Sequence, residues 1–220
     1  MKITFEGKPS FTFMHVDLEP GETIVAESGA MTSMDSNLDM EAKFNGGFFS
    51  GLIKKYLGGE SLFVNHFINK SNTTKRVTLT QVTPGDMKQM ELAGNSFCLQ
   101  PGAYICSSPG VKLGLKWAGI ASFIAREGLF KLIVSGNGTV VYGAHGTLIE
   151  KRIEGEYIVD SGHLVGYEPH MELSIQMAGG LISSVTSGEG LVTRIKGSGN
   201  IVMQSRHIGG FVGWINRFLY

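Results

Sequence analysis

The chain has 220 residues, of which 42% are hydrophobic and only 17% charged, and its nineteen basic and nineteen acidic side chains cancel. A chain without net charge has no long-range field with which to capture nucleic acid, so a nucleic-acid partner is not expected. Its thirty-one glycines are roughly twice the usual share of about 7%; set between β-branched apolar runs, they argue against a helical protein and for a mainly β one with many tight turns.

The N-terminal stretch MKITFEGKPSFTF alternates apolar and polar residues, the pattern of a first strand rather than of a secretion signal. A glycine turn then feeds an alternating strand at three places: LEPGETIVA around Gly21, LQPGAYICS around Gly102 and VDSGHLVGY around Gly162. Behind each comes a copy of a second element: GLIKKYLGGESLF from Gly51, GIASFIAREGLF from Gly119 and GLISSVTSGEGLV from Gly180. Its apolar residues (Leu52, Ile53, Tyr56 and Leu57; Ile120, Phe123 and Ile124; Leu181, Ile182 and Val185) have helical spacing and predict one short core-plugging helix per copy. Glycine or asparagine turns at 69–72, 136–138 and 197–199 are expected to end the strands that follow. The first copy spans 30 residues from Gly21 to Gly51 against 17 from Gly102 to Gly119, an excess assigned to a projecting loop around Asn45–Phe49.

These markers divide the chain into three internal repeats, approximately 1–80, 81–140 and 141–220, with no linker between them. Units that cannot bury their own apolar faces must share a core, so a single domain is expected. No run of about eighteen apolar residues offers a spanning helix. Two cysteines, Cys98 and Cys106, are too few for a disulfide framework and sit in apolar strands, which suits a reduced, cytoplasmic protein.

Candidate sites follow from the repetition. Glu60, Glu127 and Glu189 hold the same place in each copy, so units arranged around an axis would set three carboxylates on one ring. Carboxylates so placed would repel one another or recruit a cation; the plainer reading has each Glu serving a turn. The histidines, at 15, 66, 145, 163, 170 and 207, show neither strand nor helix ligand spacing, and no metal is expected. A nucleophile elbow and a phosphate-binding glycine loop are both missing, so no cofactor is expected and the balance leans against an enzyme without deciding it. Phe48 and Phe49 near Lys54 and Lys55, and Trp214 and Phe218 around Arg217, join aromatic rings to cations after glycine pairs. Such segments are contact surfaces if exposed and core plugs if buried.

The segments LEPGETIVAESGAMTSMDSNLDMEAKF, GESLFVNHF, PGDMKQMEL, GLFKLIVSGNGTVVYGAHG and EYIVDSGHLVGYEPHMELSI, in this order, resemble the altered-inheritance-of-mitochondria family from about Ile3 to Arg206. The resemblance implies a β-rich fold of three similar antiparallel units in pseudo-threefold arrangement with short helices. It is TRAP-like and related to the double-stranded β-helix, each unit being similar to a subunit of the tryptophan-dependent RNA-binding attenuation protein. It also implies a group mostly without assigned activity, in which a fungal mitochondrial member is linked to inner-membrane architecture; an Arg-rich leader is not found here. The leading expectation is a non-enzymatic scaffold that forms a homo-oligomer and contacts a protein partner or a membrane surface. A small-ligand or cation-binding protein, or an enzyme, using the three Glu or a crevice between units is the alternative, and RNA binding by fold analogy a third.

Overall fold

The computed structural model describes residues 1–44, 63–100, 102–117, 130–160, 162–177 and 191–219. The three predicted helices, the candidate carboxylates Glu60, Glu127 and Glu189, and the aromatics Phe48 and Phe49 all lie outside the described residues.

The first unit contributes β1 (Lys2–Glu6), β2 (Phe13–Leu18), β3 (Thr23–Glu27), β4 (Met31–Met34), β5 (Asp39–Phe44), β6 (Phe63–Ile68) and β7 (Lys75–Thr80). The second contributes β8 (Met87–Leu99), β9 (Tyr104–Ser107), β10 (Val111–Trp117) and β11 (Phe130–Gly143). The third contributes β12 (Leu148–Asp160), β13 (Leu164–Tyr167), β14 (Glu172–Met177) and β15 (Leu191–Gln204), and α1 (Ile208–Asn216) follows. The strands form a four-stranded sheet, β1-β2-β7-β4, and an eleven-stranded one, β12-β15-β13-β8-β11-β9-β3-β6-β5, with β10 beside β11 and β14 beside β15. All strand pairs are antiparallel. The protein is therefore mainly β.

One pairing scheme recurs three times. β11 carries β8 along one edge, with β10 and then β9 along the other. β15 carries β12, β14 and β13 in the same places. In the first unit the long strands are broken in two: β2 and β3 take the role of β8, β6 and β7 that of β11, and β5 and β4 lie opposite. β11 runs on to Gly143, past residue 140 where the sequence markers end the second unit.

The turns refine the sequence alignment. Ala30 N donates to Glu27 O at 3.2 Å, Ala103 N to Gln100 O at 3.1 Å and His163 N to Asp160 O at 3.0 Å. Each residue then accepts from the neighbouring long strand, from Thr80 N at 2.7 Å and from Gly143 N and Gln204 N at 2.8 Å. The equivalent glycines are thus Gly29, Gly102 and Gly162, at φ +89°, +78° and +95°, the left-handed region that glycine enters without steric cost. Gly21, the marker expected from sequence, instead turns β2 into β3, also at positive φ (+84°), so the two glycine turns look alike in sequence. Counted from Gly29, the distance to Gly51 is 22 residues, and most of the apparent excess in the first unit disappears into its broken strand.

A second expectation changes as well. Only the turn beginning at Asn69 ends a strand: its side-chain amide donates to Leu18 O at 2.8 Å and Thr73 O at 2.9 Å, and its oxygen accepts from Ser71. Gly136 and Gly138 lie inside β11, where the register shifts between Ser135 and Asn137, and Gly197 lies inside β15. Their positive φ bends a strand whose hydrogen bonds continue on both sides, as in a bulge.

Neighbouring units share their cores. Met14, Val16, Leu79 and Phe67 pack with Ile105 and Cys106 of the second unit. Tyr104, Leu99, Val134 and Tyr142 pack with Val25 and Val64 before them and with Val165 and Val202 after. Cys98 joins Ile153, Leu164, Ile195 and Ile201. Two strand junctions seal these seams: β3 to β9 through Val25–Ser107 and Ala26–Cys106, and β8 to β13 through Leu99–Gly166 and Cys98–Tyr167. At the first, the buried Tyr104 hydroxyl donates to Val25 O at 3.1 Å, and burial holds its pKa far above the usual phenol range, so the proton stays in place. At the second, a Cβ on Gly166 would stand 2.5 Å from Phe97 Cε1 and 2.8 Å from Cys98 O, closer than packed atoms allow.

Gly166→Ala is expected to cost about 1–3 kcal/mol through overpacking at the seam. Gly114→Ala, whose new methyl would meet its nearest neighbour at 3.9 Å, is expected to stay within about 0.5 kcal/mol of the parent. Urea denaturation of both variants checks the difference.

Candidate functional site

Helix α1 is the feature most at odds with ordinary folding physics. Its sequence, IGGFVGWIN, contains three glycines, each costing about 1 kcal/mol relative to alanine in a helix interior, and none of its residues is buried. Two devices hold it. His207 caps its start, with extended backbone angles (φ −140°, ψ 149°) and a ring Nδ1 that accepts from Gly210 N at 3.1 Å. Aromatic contacts then climb one face: His145 meets Phe211 edge-on at 6.3 Å between centroids, Phe211 stacks on Trp214 at 6.3 Å, and Trp214 meets Phe218 at 5.1 Å.

Those rings are in water. Phe211, Trp214 and Phe218 expose 50%, 57% and 71% of their surfaces, and Ile208, Val212 and Leu219 are exposed as well. The described member of the two glycine-aromatic segments is thus a surface element and not a core plug, and it brings the predicted Trp214 and Phe218 together. No residue from His207 to Leu219 is acidic, while Arg206 and Arg217 stand at the two ends of the segment.

The seat of α1 is a small histidine cluster. Asp160, His163 and His207 place their ligand atoms within 4.8 Å of one another. His163 and His207 cross at 4.8 Å between ring centroids, and His163 Nε2 lies 3.6 Å from Asp160 Oδ2. Because Gln204 O at 2.7 Å can only accept, His163 Nδ1 is the donor, and in the neutral ring the lone pair is on Nε2, the atom nearer Asp160. His207 Nδ1 accepts the Gly210 amide, so in neutral His207 the proton resides on Nε2. As hydrogen-bonded, then, the cluster offers a cation two donor atoms rather than three, and a third ligand would cost α1 its cap. Gln204 completes the seat by donating to Gly162 O at 2.7 Å and accepting from His145 N at 2.8 Å.

Histidine spacing missed this cluster because Asp160 and His163 face one another across the glycine turn, and His207 arrives only after β15. The available signal was at the turn itself, where His163 replaces the alanine that the other two copies carry as Ala30 and Ala103.

A groove of about 730 Å³ lies between the second and third units. Its walls carry the Lys88–Glu150 ion pair, Glu91, Glu168 and His170, over Met90, Phe97 and Tyr142. The Tyr142 hydroxyl donates to Glu150 Oε1 at 3.1 Å, and burial together with that carboxylate raises its pKa well above the ordinary value. The groove is the crevice that the small-ligand alternative calls for. Lys88 pairs with Glu150, His170 Nδ1 stands 3.7 Å from Glu168, and Glu91 accepts from Gln89 and Thr139. Both cysteines are buried, and burial pushes the Cys106 thiol up in pKa, away from the reactive thiolate.

His145 is the group through which pH reaches this seat. Burial, helped by His207 and Arg206, lowers its pKa below the ordinary 6.5, and its Nδ1 has no hydrogen-bond partner among the described residues. The unfolded chain takes up that proton first, so the neutral-His145 contribution to stability is complete above about pH 6.5 and is lost as pH falls below it. Thermal unfolding between about pH 7.5 and 5 is expected to show this decline in the parent and a shallower one in His145→Gln.

Comparison with known proteins agrees with the fold. The family model described as mitochondrial biogenesis AIM24 matches residues 3–206. An uncharacterised protein of Streptococcus pyogenes serotype M6 is 27% identical over 228 residues, covering 100% of this chain and 91% of its own length. An X-ray crystal structure of a Streptococcus pyogenes protein, a structural genomics target, superposes with a TM-score of 0.79 at 26% identity, covering 99% of both chains.

Proposed function

The chain belongs to the AIM24 mitochondrial biogenesis family, and from that premise we propose that it is a non-catalytic β scaffold that docks on a lipid surface through α1. The observation that carries this reading is the helix itself: Ile208, Phe211, Val212 and Trp214 expose one apolar face, the three glycines lie on the other side, and Arg206 and Arg217 flank the segment. A short helix with one exposed apolar face is suited to lying in the plane of a lipid interface with that face buried.

The chemistry fits the lipid interface. Tryptophan and phenylalanine place apolar rings at the boundary between headgroups and acyl chains, and arginines meet the phosphates. At nine residues α1 is too short to cross, and no helix among the described residues is long and apolar enough to span a membrane. Burying Phe211, Trp214 and Phe218 at about 1.5–3 kcal/mol each gives a reversible anchor comparable to one acyl chain. The scaffold supplies rigidity, since the capping His207 and the supporting His145 are both held from β15 through Gln204 and the backbone.

Vesicle flotation tests the reading, with phosphatidylcholine alone and mixed with phosphatidylglycerol. The parent is expected to float, more strongly with the anionic lipid. In a Trp117→Phe background, Trp214 emission is expected to shift to shorter wavelength on binding. Trp214→Ser with Phe218→Ser is expected to abolish flotation while leaving the thermal unfolding of the sheets unchanged, because both side chains are exposed and their ring contacts lie within the α1 segment. A parent that stays in solution with either vesicle, or a double variant that floats equally well, rejects lipid docking.

A further inference from the structure

Of the three equivalent glycine turns, one carries metal-ligand chemistry. Aligned by the hydrogen bond that closes each turn, the flanking positions are Glu27 and Ala30 in the first unit, Gln100 and Ala103 in the second, and Asp160 and His163 in the third. The third turn alone sets a carboxylate opposite an imidazole, and it is also the turn on which His207 lands. A Cβ on Gly162 would stand 3.1 Å from His207 Nδ1, so a side chain there would crowd the ring.

The spacing suits an ion. His163 Nε2 and Asp160 Oδ2 are 3.6 Å apart, close to the roughly 3.4 Å between two ligand atoms of one tetrahedral zinc with bonds of about 2.0–2.1 Å. The bond from His163 Nδ1 to Gln204 O at 2.7 Å is of the outer-shell kind that orients a ligating imidazole and leaves the lone pair on its other nitrogen. His207 completes a set whose ligand atoms lie within 4.8 Å of one another, so closing on an ion takes side-chain movement of about 1 Å. All three residues are half-buried, which leaves a way in and room for a water ligand. Two imidazoles with one carboxylate suit Zn²⁺ and its neighbours in the first transition row, whereas Ca²⁺ and Mg²⁺ call for oxygen ligands throughout.

We infer that Asp160, His163 and His207 form a site for a zinc-type divalent cation, and that filling this site uncaps α1. The exclusion follows from counting lone pairs. A neutral imidazole has one to offer, and in the ion-free chain His207 Nδ1 uses it to accept from Gly210 N at 3.1 Å. If the ion takes Nδ1, it displaces the amide directly. If it takes Nε2, the proton there leaves to solvent and Nδ1 takes one up, so that N–H then faces N–H. In both cases the first turn of α1 loses its side-chain acceptor. A nine-residue helix with three glycines and no buried residue has little else to hold it, and the cation at the rim of the sheet thereby controls an element that is bare along its length. The inference holds whether or not α1 meets lipid.

Titration of zinc chloride into the metal-stripped full chain, free of any added histidine tag, tests both halves: calorimetry reads binding, and hydrogen exchange of the Gly210 amide reads the cap. One zinc per chain is expected at this site, with Gly210 exchanging about 2- to 30-fold faster once it is filled, the range that corresponds to loss of an N-cap. Calcium and magnesium chloride are expected to change neither reading. His163→Ala is expected to weaken zinc by more than the about 10–100-fold that loss of an outer-shell partner costs, and Asp160→Asn, which keeps the shape of the side chain, is expected to weaken it too. His207→Asn separates the two roles, since asparagine caps a helix well but brings no imidazole: its Gly210 amide is expected to stay protected at zinc concentrations that fill the parent. The inference is overturned by a parent that binds no zinc, by zinc bound as tightly after His163→Ala, or by calcium bound equally well. A filled parent whose Gly210 amide is unchanged, or a His207→Asn amide that responds as the parent's does, overturns it as well.

Discussion

The structure depends on a backbone constraint met three times: a strand must reverse within a few residues and then take its place beside the next unit. Gly29, Gly102 and Gly162 make that reversal in the left-handed region, and the residue after each bonds back across the turn and accepts from the neighbouring long strand. A side chain at these positions would carry the strain of positive φ, and the short strand that follows would lose its aim. Because that strand forms the seam between units in two of the three cases, the glycine turn decides at once how a unit folds and how it meets its neighbour. Core sharing follows from it. The clusters around Tyr104, Phe67 and Ile195 each draw on two units or more, so no single unit owns enough buried surface to stand alone.

Much of this was legible before any coordinates. Period-two alternation announced β1 and β3, and repetition announced the recurring scheme of strands. Misreadings arose where one residue type serves two physical purposes. Gly21 and Gly29 both take positive φ, one to bend a strand and one to reverse it, and local sequence does not separate them. Gly136 and Gly197 read as strand ends because glycine usually ends strands, whereas in a long pair the flanking hydrogen bonds carry the strand across the bend. Histidine counting failed for a related reason. The Asp160–His163–His207 cluster is assembled by a turn and by the return of β15, and neither leaves a ligand-spacing signature.

Exposure was the least legible property. The segment from Gly209 to Phe218 has the glycines and aromatics of a core plug, and hydrophobic periodicity reports that a face is apolar without reporting what covers it. What distinguishes α1 is its seat. The cap and the ring contact that hold it come from the polar side chains of His207 and His145, and none of its residues is buried among the described residues. A helix held at its base and bare along its length is arranged to meet something outside the chain.

Divergence among the three short strands that follow the glycine turns obeys the same logic. YICS in β9 and LVGY in β13 supply large apolar side chains to cores on both faces, while MTSM in β4 sets threonine and serine between two methionines. A strand written like its siblings would leave a greasy edge in water and invite indiscriminate pairing. One written with lysine would pair with nothing. The intermediate composition suits a strand whose four residues all face water: threonine and serine keep it wet, and its two methionines stay only partly exposed.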